Sequence, residues 1–288
     1  MDPIQVLHNA ARHYCMEQSA RWHRQYADLA AARGERTAVR AGSWSFTDAA
    51  YDIFPRYQVL NAIQSDVERF VPGDFQSADE MRWLLIAAAE TAQNVFTKFE
   101  NPVAVRAADD ERRRFAEFIR FVDEGQLNTL PLLPFRRILG EIEHRKLHQA
   151  FTFRWGKWYG GSVDSADAGA DAVTLHTAAM ANPKAYDDLR QLVAAHGISR
   201  LFELREWGDG CELDTANAGF TYNGAEGFWT SNGMAWMVYA SHESSITFGG
   251  LWLAEGMRGF LPLFQRYLYR GWDLAAYPDY PNNDSARG

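Results

Sequence analysis

Glu226-Gly-Phe-Trp-Thr-Ser-Asn232-Gly233-Met-Ala-Trp-Met-Val-Tyr-Ala240-Ser-His242-Glu-Ser-Ser-Ile-Thr-Phe-Gly-Gly250 is the stretch that decides the fold. Asn232-Gly233 separates Phe228–Ser231 from Met234–Ser241, two segments rich in strand formers. Asn and Gly both tolerate positive φ, so the dipeptide is a strong hairpin signal. A second turn over His242–Ser245 returns the chain into Ile246-Thr247-Phe248. Between the turns, Met234, Trp236, Val238 and Ala240 alternate with Ala235, Met237 and Tyr239, and both sets are apolar. A strand of that kind belongs inside a sheet covered on both faces.

Working outward, Ile198–Glu206 alternates as a strand, Trp207-Gly208-Asp209-Gly210 is a turn, and Cys211–Asp214 pairs back. Val173–Thr177 reads as a further strand, and Phe135–Leu139 as a strand or a helix start. Helices are expected over Glu141–Trp155, from Asn182-Pro183 to Gly197, and over Leu251–Arg270 with a kink at Pro262. Gly160–Ala170 is a glycine-rich loop.

The first 125 residues read as mainly helical. Asp2-Pro3 opens a helix to about residue 33. A second helical region starts near Thr47 and breaks near Pro55. A third, opened by the capping box Ser77-x-x-Glu80, runs to about Phe99 and is apolar nearly all round at Trp83–Ala89. A fourth covers about Ala107–Asp123. The proline-bearing Gln126–Pro134 is the best domain boundary. The expectation is therefore an α+β protein: a mainly helical region (1–125), an antiparallel β-meander sheet packed by helices (135–276), and a flexible tail (277–288).

The 288 residues carry 29 Lys+Arg against 37 Asp+Glu, net −8, and residues 151–288 alone hold 10 against 16. Such a balance repels phosphate backbones and argues against a nucleic-acid partner. The longest clean apolar run, Leu84–Ala89, is far below the roughly 20 residues of a membrane span. The Asp2-Pro3-Ile4-Gln5 start is not that of a signal peptide, which favours the cytoplasm. The Ala/Arg-rich composition suggests a bacterial source. Cys15 and Cys211 are read as reduced packing residues, and no cofactor is expected, since Gly-x-Gly-x-x-Gly and the P-loop pattern are both missing.

Three residue groups carry chemistry. Glu203, Glu206, Asp209, Glu212, Asp214 and Glu226 lie on or beside the strands, and with exposed Trp207 they are expected to form an acidic, aromatic rim. This points to a non-enzymatic acidic binding protein, of the immunity type, neutralising a basic protein partner such as a toxin. The alternative is a hydrolase or metal-dependent enzyme using His242 with Glu243 or other nearby carboxylates, although no Gly-x-Ser-x-Gly elbow is present. As metal ligands, His144 and His148 sit one helical turn apart, without the Glu of a His-Glu-x-x-His motif.

Overall fold

The structure is a computed structural model that describes residues 2–40, 43–123, 130–156, 172–260 and 264–270. The chain divides into two compact units, Met1–Leu133 and Pro134–Gly288, and is an α+β protein: helices come first, followed by a seven-stranded antiparallel sheet with helices against it. The Gly160–Ala170 loop, Trp158 and the tail lie outside the described residues.

In the first unit, α1 (Pro3–Ala31) is capped by the Asp2 carboxylate, which accepts from the Ile4 amide. A two-stranded hairpin follows, β1 (Arg36–Arg40) and β2 (Ser43–Phe46), where the sequence suggested only a polar connection. Helix α2 (Asp48–Val67) runs unbroken through Pro55, contrary to expectation. Pro55 costs the Tyr51 carbonyl its helical donor, while the next carbonyl, of Asp52, gains the Arg56 Nε at 2.7 Å. Helix α3 (Ala78–Thr91) starts at Ser77 as its capping box requires but stops eight residues short of Phe99. Arg112 donates to the carbonyls of Ala89 and Ala92 at that end. Only one side of α3 is buried, and Trp83 is 68% exposed. Helix α4 (Pro102–Phe121) begins earlier than its apolar stripe suggests, because Asn101 caps it and Pro102 fits its first turn. Leu7, Leu60, Ile63, Leu85 and Phe115 meet in the core of this unit.

The second unit is built on the strand order β3-β6-β5-β7-β8-β9-β4, every neighbouring pair antiparallel. The strands are β3 (Arg136–Ile138), β4 (Ala172–His176), β5 (Arg200–Arg205), β6 (Cys211–Asp214), β7 (Gly227–Thr230), β8 (Met237–Ala240) and β9 (Ser245–Gly249). Helix α5 (Glu141–Trp155) covers one face, where Phe151 and Trp155 pack with Phe228, Met237 and Tyr239. Helices α6 (Pro183–Ala195) and α7 (Leu251–Phe260) cover the other, where Leu189, Val193, Leu253 and Met257 pack with Trp229, Val238, Ala240 and Phe248. Strand β8 is interior and all four of its residues are buried, as its two apolar faces require.

Two expectations need correction. The Asn232-Gly233 turn forms, with the Met234 amide bonded to Ser231 O at 2.9 Å, but Met234 has φ +49° and the strand resumes only at Met237. That break puts Met234 with Met237 and Tyr239 rather than with Trp236 and Val238. The last helix ends at Phe260 rather than Arg270, and residues 267–269 run along β4 instead. There the Tyr267 carbonyl accepts from His176 N, Tyr269 N donates to Thr174 O, and Leu268 bridges to Leu175. Among the described residues no helix is long and apolar enough to cross a membrane.

Candidate functional site

Register assembles the site. Gly227 faces Ala240, Ala240 faces Ile246 and Ile246 faces Leu175. One residue further towards the same end of the sheet, Glu226, Ser241, Ser245 and His176 fall in one row, on the face that also carries Phe228 and Tyr239. All four are 1–2% exposed. In a sheet covered on both sides an apolar row is the default, so a buried carboxylate with two hydroxyls and an imidazole beside it calls for a chemical reason.

Glu226 is the centre of the arrangement. Its Oε2 accepts from the Tyr239 hydroxyl at 2.6 Å. Its Oε1 accepts from the Ser241 hydroxyl at 3.0 Å, from Nδ1 of His242 at 2.5 Å and from the His242 amide at 3.4 Å. A buried carboxylate is tolerable only when hydrogen-bond donors replace its water, and here three side chains do so. Tyr239 is fully buried and stacked on Phe228, with centroids 4.7 Å apart and planes at 23°. His242 differs from the others in that 52% of its side-chain surface is exposed. A carboxylate has no proton to give, so Nδ1 is the donor in this pair. In the neutral imidazole the lone pair is then on Nε2, on a side chain that reaches solvent.

The carboxylate at His242 is thus Glu226, sixteen residues away in sequence, and not the neighbouring Glu243. Glu243 instead accepts from Tyr269 Oη through its backbone carbonyl and donates its amide to Ser241 Oγ. Ser241 gives its proton to Glu226 and accepts from the Glu243 amide, so its hydroxyl is committed within the turn. The turn closes tightly, with Ser241 N bonded to Ser245 O and Ser244 at φ +58°.

The acidic rim expected from the sequence is not formed. Glu203 faces Cys211 and Phe202 faces Glu212, so Glu203 and Glu212 point to opposite sides of the sheet. Glu203 accepts from Arg205 Nε at 2.8 Å and Trp229 Nε1 at 2.9 Å. Arg205 crosses the chain at Gly227, where a Cβ would come within 2.7 Å of its Nη1. Glu212 shares Arg137 with Glu143 of α5. That guanidinium holds the Glu143 carboxyl below the usual range, chiefly through its hydrogen bonds. Asp214 accepts from the Phe135 amide and lies 3.6 Å from Arg200. Glu206, Trp207 and Asp209 remain exposed, at the tip of the β5–β6 hairpin, with Trp207 72% accessible. That tip lies at the Glu226 end of the sheet, where the Glu206 amide bonds the Glu226 carbonyl at 3.0 Å.

His144 and His148 do share one side of α5, with centroids 6.4 Å apart. Burial and the neighbouring His144 push His148 below the usual imidazole range. The His144 ring is wedged against Gly210, where a Cβ would lie 2.6 Å from its Cδ2. Among the described residues no group of three or more His, Cys, Asp or Glu is placed to hold a metal. Cys15 and Cys211 are both buried and neither forms a disulfide among the described residues, and burial drives the Cys15 thiol well above its usual range. A cleft of about 750 Å³ is lined by Ile142 and Leu147 of α5 and by Phe202 and Asn232, among others, and neither His242 nor Glu226 lines it.

Alternation alone counts Tyr239 as one of the apolar face of its strand and so does not mark it as a site residue, while Glu226, expected in the acidic rim, instead bonds Tyr239 and His242. The signal was present: Tyr239 and Ser241 are two apart, hence on one face of a strand, and Glu226 precedes the partner strand. Comparison with protein-family models, curated proteins and solved structures gives no match for this chain.

Proposed function

We propose that the chain is a hydrolase-type enzyme in which His242 is the general base and Glu226 orients it. The observation that supports this is a buried carboxylate bonded to Nδ1 of a half-exposed histidine. Such a pairing fixes the tautomer that leaves Nε2 able to take a proton, and stabilises the imidazolium that forms. Water at Nε2 would pass a proton to the imidazole as its oxygen bonds to the electrophilic carbon or phosphorus; the C–O or P–O bond to the leaving group breaks, and the departing oxygen takes the proton back from the imidazolium. Ser241, engaged at both its donor and its acceptor side, supports the turn rather than acting as a nucleophile. The test is a panel of chromogenic esters, phosphodiesters and glycosides assayed with wild type, His242→Asn and Glu226→Gln. Turnover should fall about 100-fold or more in His242→Asn, within the range of general-base contributions. A turnover that survives His242→Asn, or none from wild type on any member, overturns the reading.

A second reading, an acidic binding protein for a basic partner, is favoured by Trp207, exposed between exposed Glu206 and Asp209 on a hairpin tip. Exposed Trp is a frequent anchor of interfaces. Only part of the expected acidic set supports it, because Glu203, Glu212, Asp214 and Glu226 are engaged internally. Capture of a basic partner that is lost in Trp207→Ala and in Glu206→Lys would favour it. Capture indifferent to both would remove it.

A further inference from the structure

We propose that Tyr239 is a positioning residue for His242, setting the strength of the Glu226–His242 hydrogen bond from inside the sheet. This rests on the reading of His242 as the base, and it adds the group that tunes that base. The two carboxylate oxygens are used differently. Oε1 takes Ser241 and both His242 donors, whereas Oε2 takes the Tyr239 phenol at 2.6 Å. The phenol cannot swing away, because its backbone lies in interior β8, between Phe228 and Thr247, and its ring is stacked on Phe228. A donor on Oε2 fixes the carboxylate plane, so that Oε1 is aimed at Nδ1. It also withdraws negative charge from Oε1, which weakens the carboxylate as an acceptor. The phenol therefore trades some strength of the Nδ1–Oε1 hydrogen bond for its precise orientation.

The consequence has a sign that a merely structural role does not share. Removing the phenol makes Glu226 the stronger acceptor, and a more acidic phenol makes it the weaker one. The experiment compares the full-length wild type, Tyr239→Phe and a protein with 3-fluorotyrosine at position 239, with Glu226→Gln as control. Proton NMR reads the hydrogen-bonded Nδ1 proton of His242, and diethyl pyrocarbonate, followed by peptide mass analysis, reads the reactivity of Nε2. The Nδ1 proton should move downfield in Tyr239→Phe and upfield with fluorotyrosine. Carbethoxylation of His242 should change in step, by about twofold or more in each direction. A Glu226-dependent proton that stays put, or moves in the reverse order, overturns the role of Tyr239 and leaves the Glu226–His242 pair intact. A wild type with no such proton overturns the pair, and the tuning with it. If Tyr239→Phe does not fold, the fluorotyrosine protein alone decides, since it changes one atom on a ring that keeps its hydroxyl.

Discussion

Replacing Glu226 by Ala should destabilise the second unit more than any surface carboxylate does, and the size follows from what is left behind. The Tyr239 and Ser241 hydroxyls lose their shared acceptor while belonging to residues 0% and 1% exposed. Each stranded buried group costs about 1–3 kcal/mol, so the pair costs about 4 kcal/mol at the middle of that range. For a unit of this size that corresponds to a fall in Tm of roughly 8–16 °C. Chemical denaturation followed by tryptophan fluorescence and far-UV circular dichroism measures it, and an unchanged m-value guards the comparison. A double-mutant cycle sharpens the test. In wild type, Tyr239→Phe deletes a bond to a charged group, at about 1.5–3 kcal/mol. In the Glu226→Ala background it deletes a hydroxyl that has already lost its Glu226 acceptor, so it should cost much less, and the two sites should couple by more than about 1.5 kcal/mol. A loss below about 1 kcal/mol for Glu226→Ala, or additive single effects, would refute the claim that this carboxylate holds the row together.

Three further outcomes are expected. Arg137 holds the Glu143 carboxyl below its ordinary range, so the stability it brings is present above the unfolded-state carboxylate pKa and is lost as pH falls through the folded value; Arg137→Met should flatten the acid limb of a Tm-versus-pH curve. In the first unit, burial raises the carboxyl of Glu111, which Arg114 and Arg56 offset only in part. Its contribution is greatest below the unfolded-state value and declines as pH rises through the folded one, so Glu111→Gln should match or exceed wild type in urea at pH 7 and lose that advantage at pH 4. Gly250 stands at φ +100° with a would-be Cβ 2.8 Å from the Ala235 carbonyl, so Gly250→Ala should cost about 1–3 kcal/mol by denaturant titration.

How much of this was legible in the sequence depends on the kind of information involved. Capping chemistry is local, so Asp2, Ser77 and Asn182 announced their helices. Period-two alternation is equally local, and β5, β6 and β8 are strands where it places them, although Met234 falls on the other face from the one it suggests. Pairing partners are not local. A two-residue Asn232-Gly233 turn would set Glu226 opposite Tyr239, but the observed connection is longer and sets Gly227 opposite Ala240. The slip is by two positions, so Glu226 keeps the face of Tyr239 and Ser241 while its neighbour in the row changes. The split of Glu203 from Glu212 needed the register of a neighbouring pair. The hairpin at Arg36–Phe46 was missed because its strands are short and largely polar, with Trp44 lying 4.0 Å under the Arg36 guanidinium rather than in a core.

The segment from Tyr267 to Tyr269, which occupies the outer ladder of β4, limits how another molecule can engage this sheet. An edge whose amides and carbonyls are already spoken for offers no template for an incoming chain. At the opposite margin β3 is only three residues long and presents Arg136 and Arg137, a poor foundation for a long added strand. Among the described residues, a molecule approaching this sheet would therefore meet side chains at the ends of its strands, where His242 and Trp207 stand, rather than an open main-chain edge along its flanks.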